Sequence, residues 1–419
     1  MVLVLVLGAA CGGGGDDDGR DAPGNDGAAT NDGAATTDGA AASDGAATDG
    51  ATIDAGPAAL TFGFPVYTRA EIDAWSTSSP EYTRLAGSWA GNVTRAHSTW
   101  GTEIDSIERD VWKDEMVYLK VEAVLWAADG TTARRDKVVA MLDALRTVTS
   151  FATDDIEQYR LVAGWACTNI AQAAAIIGYR DAELDRFLVV TAYPLLDWSN
   201  GGNWQASFSD SRLAIAAYIG DPVLWADAKA YYHRRIAQTI YHSAYDGGAV
   251  NPLRNAAGDP LVALTKNHWG AYWGAEYGQV NDDFTPVDPV LFVDGVDAER
   301  RRDPSHVAMG LGAWMHGART ILAQGDTLEP HARARLRAAF DYHAGRVLVL
   351  LETGSLPEPQ TAQGTGGTAY RQSWFGARAL FGADTPANVI TLLGRDEVQD
   401  YAAAGANHMV AEAFADGTP

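Results

Sequence analysis

The chain has 419 residues, a formal charge of -23 and a hydrophobic fraction of 47 %, which is length and apolar content enough to bury a large core. The charge is uneven: Gly12 to Ala58 carries ten Asp and one Arg, a net -9, which leaves -14 for the rest. Such a balance excludes nucleic acid as a partner, because phosphate binding needs a basic face.

The chain opens MVLVLVLGAAC, an apolar run followed by small residues and Cys11. This is the pattern of a bacterial lipoprotein signal over residues 1–11 rather than of a membrane-spanning helix. It makes Cys11 the expected lipidation site and a lipid anchor the only expected membrane attachment. The expected location is the cell envelope, facing the periplasm or the cell surface. No Lys or Arg precedes the run and Gly8 stands where such a signal usually has Leu, so an ordinary cleaved signal or a chance apolar start is the alternative. Residues 12–58 repeat Asp-Gly-Ala-Ala-Thr at 26–30, 32–36 and 44–48, with Ile53 the sole large apolar side chain. A tract of this kind cannot offset its ordering entropy and reads as a self-repelling linker.

From residue 59 to 419 Trp, Tyr and Leu appear at globular frequency, and the apolar periodicity is helical. Val138, Leu142 and Leu145 share one face, as do Leu311, Met315, Ala318 and Leu322, and Leu336, Phe340, His343 and Val347. Cys167, inside Leu161-Val-Ala-Gly-Trp-Ala-Cys-Thr, reads as a small core residue. Gly178 to Asp181 and Gly220-Asp-Pro222 stop one helix and start the next. The fold class expected is all-α, an array of helical hairpins.

Three polar knots punctuate this array: Gly202-Asn203-Trp204, then Lys266-Asn267-His268-Trp269, then the run from Glu299 through Arg302, Asp303 and His306 to Gly312. Each is expected to open a helix, where free N–H groups favour an anionic ligand. The second lies in a long connection from Tyr241 to Glu299 carrying Pro252, Pro260, Pro286 and Pro289, and connections of that length are usually functional. Gly364 to Gly367 follows no strand and reads as a loop. Zinc-helix, Walker and nucleophile-elbow signatures are missing.

Gly202-Asn-Trp204 with Ser207 and Arg212-Leu-Ala-Ile215, the Asn267-His268 pair, and Arg302-Asp-x-x-His306 followed by Gly310-Leu-Gly and Gln324-Gly resemble the alginate lyase domain family of polysaccharide lyases. The resemblance runs from about residue 80 to about residue 410. It implies an incomplete (α/α) toroid with a tunnel-like cleft, cutting uronate polymers by β-elimination with no metal or cofactor. The expected partner is an anionic polysaccharide, and the expected state a monomer. The reaction removes the C5 proton beside the uronate carboxylate and expels the O4-linked sugar, so it needs a base, an acid and donors to the developing dianion. The resemblance implies Asn267 as donor to the carboxylate, His268 as its neutraliser or the base, and Arg302 as its binder, with His306 a further catalytic candidate. Asn203, Trp204, Lys266, Trp269, Tyr272 and Tyr370 are the candidate substrate-binding residues, the aromatic faces among them suiting sugar rings.

One position departs from the family. Its tyrosine usually stands seven residues after the arginine, where this chain has Met309, and a thioether transfers no proton. Either a histidine serves with another acid, or Tyr272, Tyr277 or Tyr370 takes over, or catalysis is lost and a glycan-binding protein remains. A glycoside hydrolase on a similar toroid is the other alternative, with Asp210, Glu276, Asp282 and Asp283 as its carboxylate candidates.

Overall fold

A computed structural model describes residues 60, 62–197, 202–246, 293–297, 299, 304–356, 371–398 and 412–416. The order is α1 (Arg69–Asp73), α2 (Pro80–Ala86), β1 (Glu103–Ile104), α3 (Glu108–Asp129), α4 (Thr132–Ala144), β2 (Ser150–Phe151), α5 (Ile156–Ile177), α6 (Ala182–Arg186), α7 (Gly202–Ile219), α8 (Pro222–Thr239), α9 (Ser243–Asp246), α10 (Pro304–Ala323), α11 (Pro330–Thr353), α12 (Arg371–Phe381), α13 (Ala387–Leu393) and α14 (Glu412–Asp416). The class is all-α, as the periodicity predicts.

Local chemistry sets the helix ends. Gly178 takes a left-handed φ of +67° to close α5, and three residues on the Asp181 carboxylate accepts the first-turn N–H groups of α6. Asp221 does the same for α8 with Pro222 at its first position. Two features escaped the sequence: the short parallel pair β1 with β2, and a π-helical turn over Phe187–Ala192.

Helices α3, α5, α7, α10 and α12 pack in succession as an inner row, while α4, α8, α11 and α13 back them in a toroid-like array of hairpins. Inner helices are buried almost all round: in α7 every residue from Gly202 to Tyr218 except Trp204 is buried. Such a helix shows no apolar stripe, since it has no wet face. The core falls into two clusters, one about Trp112, Phe151 and Phe187, the other about Trp314, Phe340 and Trp374. Close approach needs small residues, and a side chain at Gly317 of α10 would enter the Tyr232 ring of α8. Leu322 is the exception on its predicted face, being 42 % exposed because that apolar stripe ends before the helix does. Short α14 packs on α12 and sends Glu412 to Lys120 of α3, so it ties the two ends of the row. Among the described residues no helix is long and apolar enough to cross a membrane.

Candidate active site

The first and third polar knots, a hundred positions apart in sequence, meet where the first turn of α7 packs against Glu299 on one hand and Gly310 of α10 on the other. Gly202 begins α7 with φ +62°, and a Cβ there would stand 2.6 Å from both Cγ and Cδ of Glu299. The backbone N–H of Asn203 donates to Glu299 Oε2 at 2.9 Å, satisfying one of the donors that a helix start leaves free. On its other side Asn203 faces Gly310 of α10, where a Cβ would come within 3.2 Å of the Asn203 Cα. Ser207 Oγ donates back to the Asn203 carbonyl at 2.8 Å. Asn203 is 1 % exposed, and its Oδ1 has no hydrogen-bond partner among the described residues. A buried amide oxygen left in that state is costly unless something else supplies a donor.

Glu299 sits on an anchored segment. Its N–H donates to Asp297 Oδ1 at 2.9 Å, and Asp297 bridges antiparallel to Ile240 at the end of α8. Tyr241 N–H donates to Val296 O at 2.9 Å and Gly295 N–H to Tyr241 O at 3.0 Å. On the α11 side His343 Nε2 lies 3.4 Å from Asp297 Oδ1. In the sequence Glu299 marks only the start of the third polar knot. The signal missed there is the pairing of a glycine at a helix start with an acid ahead of another.

Of the predicted site residues, Asn203 sits at this meeting point, and His306 is half-buried in the first turn of α10, one helical turn before Gly310. Asn203 lies within α7 rather than capping it. Trp204 is half-buried and packs on the first core cluster. Met309 is buried in α10 at 3 % exposure. Lys266, Asn267, His268, Trp269, Tyr272, Tyr277, Arg302 and Tyr370 lie outside the described residues, as do Cys11, the 12–58 tract, Gly364 to Gly367, Glu276, Asp282 and Asp283. Arg212, part of the family-like pattern, is spent on structure: its guanidinium lies 4.1 Å from the Tyr193 ring and 4.5 Å from that of Tyr231, and it pairs with Asp227 at 2.5 Å. Tyr231 in turn accepts from Gln205 Nε2 at 2.6 Å. Burial raises the pKa of the Tyr231 hydroxyl.

A second, wholly buried group of charges lies deeper. Glu412 Oε1 accepts from His316 Nε2 at 2.6 Å and Tyr67 OH at 3.1 Å, with Lys120 Nζ at 3.7 Å. His316 Nδ1 reaches Asp210 Oδ2 at 3.4 Å. Burial works against the Glu412 carboxylate, but Lys120 and His316 outweigh it and hold the carboxyl well below its ordinary pKa. Burial also opposes the His316 charge, and there Asp210 and Glu412 prevail and raise it. For Lys120 burial wins and lowers the pKa against Glu412 and Asp210. Asp210 is thus a core residue paired with His316, not a carboxylate open to a glycosidic bond. His316 is wholly buried, between Asp210 and Glu412. Cys167 is wholly buried and its thiol is pushed up by burial, in keeping with a core role.

Cavities add little to the mouth. One of about 550 Å³ is lined by His242, Asp294, Arg337, Asp341, Tyr342 and Asn388 among others, none of them a mouth residue. Beneath the first turn of α10 a void of about 10 Å³ between Pro304, His343, Arg346 and Trp374 has room for roughly one water. Among the described residues no three of His, Cys, Asp and Glu are grouped to hold a metal ion.

No protein family matches the chain by profile, and no curated protein matches it by sequence. Among solved structures it is similar to alginate lyase A1-III from Sphingomonas species A1, at 12 % identity and a TM-score of 0.47 over 83 % of this chain and 97 % of that one. A histidine-to-alanine variant of alginate lyase A1-III complexed with tetrasaccharide is similar at 14 % identity and a TM-score of 0.45, over 81 % and 88 %. A tyrosine-to-phenylalanine variant complexed with tetrasaccharide is similar at 13 % and 0.45, over 83 % and 96 %. The likeness is to an alginate-lyase-like helical fold, and no activity or residue role is carried across from it.

Proposed function

We propose that the protein is a polysaccharide lyase that cleaves a uronic-acid-containing polysaccharide by β-elimination. The observation that carries this reading is the meeting of Asn203 with Glu299 and Gly310, because it joins two family-like motifs at one place and leaves a buried carboxamide there whose oxygen has no partner among the described residues. A carboxamide can turn to offer either its NH2 or its oxygen, so Asn203 can bind a sugar hydroxyl or a carboxylate. In this reading Asn267 and Arg302 hold the uronate carboxylate and stabilise the dianion that forms when C5 loses its proton. His268 or His306 takes that proton, and a hydroxyl or imidazolium group returns one to the departing O4. With the lipoprotein signal, the substrate is an anionic glycan met at the cell envelope.

Met309 favours a second reading, a glycan-binding protein that no longer turns over, because the residue where the family keeps its tyrosine is a buried thioether. One assay separates the two. Elimination leaves a C4–C5 double bond conjugated to the carboxylate, which absorbs in the ultraviolet and which hydrolysis does not make. The purified protein is offered polymannuronate, polyguluronate and glucuronan. A rise in absorbance is expected on at least one; no rise, with binding retained, establishes the second reading. New reducing ends without absorbance would establish hydrolysis and overturn both.

A further inference from the structure

We infer that Glu299 is a positioning residue, a spacer whose length sets the first turn of α7 against α10 and so fixes where Asn203 stands relative to His306. Its carboxylate fills the space in front of Gly202 and takes the Asn203 N–H at 2.9 Å, while the opposite face of Asn203 rests on Gly310. The first turn of α7 is therefore held between a carboxylate, which leaves no room for a methyl group at Gly202, and a neighbouring helix, where one at Gly310 would fit only tightly. The carboxylate is itself tied down through the bond from its backbone N–H to Asp297 and through the Asp297 bridge to Ile240. Glu299 and Asp297 are 3 % and 5 % exposed, so solvent does not compete for these bonds. A buried N–H deprived of its acceptor moves or unwinds to find another, and at this mouth either response displaces Asn203. The role assigned to Glu299 here is that of an acceptor at the reach of a glutamate, separate from whatever its negative charge does.

That distinction makes the inference testable with Glu299→Gln, Glu299→Asp and Glu299→Ala in the full chain. Gln keeps reach and acceptor and loses the charge; Asp keeps the charge and is one methylene short. Hydrogen exchange in the first turn of α7 is read together with the melting temperature and, through the proposed lyase reaction on which this part rests, kcat and KM on the preferred uronate polymer. Glu299→Gln is expected to keep wild-type protection, with kcat within about threefold of wild type, while Glu299→Asp and Glu299→Ala exchange faster and lose about 100-fold in kcat with KM nearly unchanged, the size of effect that a 1 Å misplacement produces. Should Glu299→Ala not fold, the order of Gln and Asp decides. Wild-type behaviour of Glu299→Asp with loss in Glu299→Gln, or no difference among the variants, overturns the inference. A wild type inactive on every uronate polymer sinks the lyase reading alone. The exchange order of Gln and Asp then stands as the test of the clamp.

Discussion

Gly202 shows how much one missing side chain can decide. Its left-handed backbone and the carboxylate of Glu299 together occupy the place where a Cβ would go. Gly202→Ala is expected to lose about 1–2 kcal/mol from the backbone conformation alone, and more from pushing Glu299 aside, as read by denaturant titration. Gly310→Ala meets backbone and Cβ atoms of Asn203 at 3.2 and 3.3 Å, a tighter fit than most real contacts, and should disturb activity more than stability. For the proposed catalytic residues the expected outcome is sharper. His268→Ala and Arg302→Ala should each lower turnover at least about 100-fold, the lower range for a positioned acid, base or charge stabiliser, with melting temperature unchanged. Near-normal rates in both variants would remove them from the site.

Among the elements, α14 is one of the shortest and has the largest electrostatic stake. Five residues long, it has little area to bury, yet its Glu412 pairs with both Lys120 of α3 and His316 of α10 inside the protein. A buried ion pair adds little compared with a well-packed apolar pair, but removing one member leaves a charge in a medium that cannot solvate it. Glu412→Gln is therefore expected to destabilise the protein by about 3–5 kcal/mol, visible in a denaturation midpoint. Lys120→Met in the same background should recover part of the loss, because it removes the orphaned charge. An unchanged midpoint in the single variant would mean that α14 contributes nothing to holding the ends of the inner row.

For the molecule as a whole these groups set a pH dependence. Glu412 has a folded pKa below the unfolded value of about 4.3, so its contribution is present above that value and is lost as pH falls through the folded one. His316 is raised above its unfolded value of about 6.5, so its contribution is complete below that pH and is lost as pH rises through the folded value. Lys120, lowered, runs the other way: the cost of its charge is relieved as pH rises through its folded pKa. The stability of wild type relative to His316→Gln should thus decline above about pH 6.5, with a slope of at most about 1.4 kcal/mol per pH unit. A flat difference between pH 6 and 8 by thermal denaturation would show His316 to be equally protonated in the folded and unfolded chains.

The helical class, the boundaries at Gly178 to Asp181 and Gly220 to Pro222, and the core residence of Cys167 and Phe340 were all legible in sequence, because each depends on neighbours within a turn or two of the chain. So was the list of polar knots, since residue type and glycine spacing are local too. Tertiary structure alone decided which knots meet. Nothing near Glu299 in sequence says that its carboxylate serves the N–H of Asn203, and nothing near Asp210, His316 or Glu412 says that three polar residues on separate helices share one buried charge network. The physical reason is the same in both cases: a buried polar group must find its partner within about 3 Å in space, and helix packing, not sequence distance, determines what stands there.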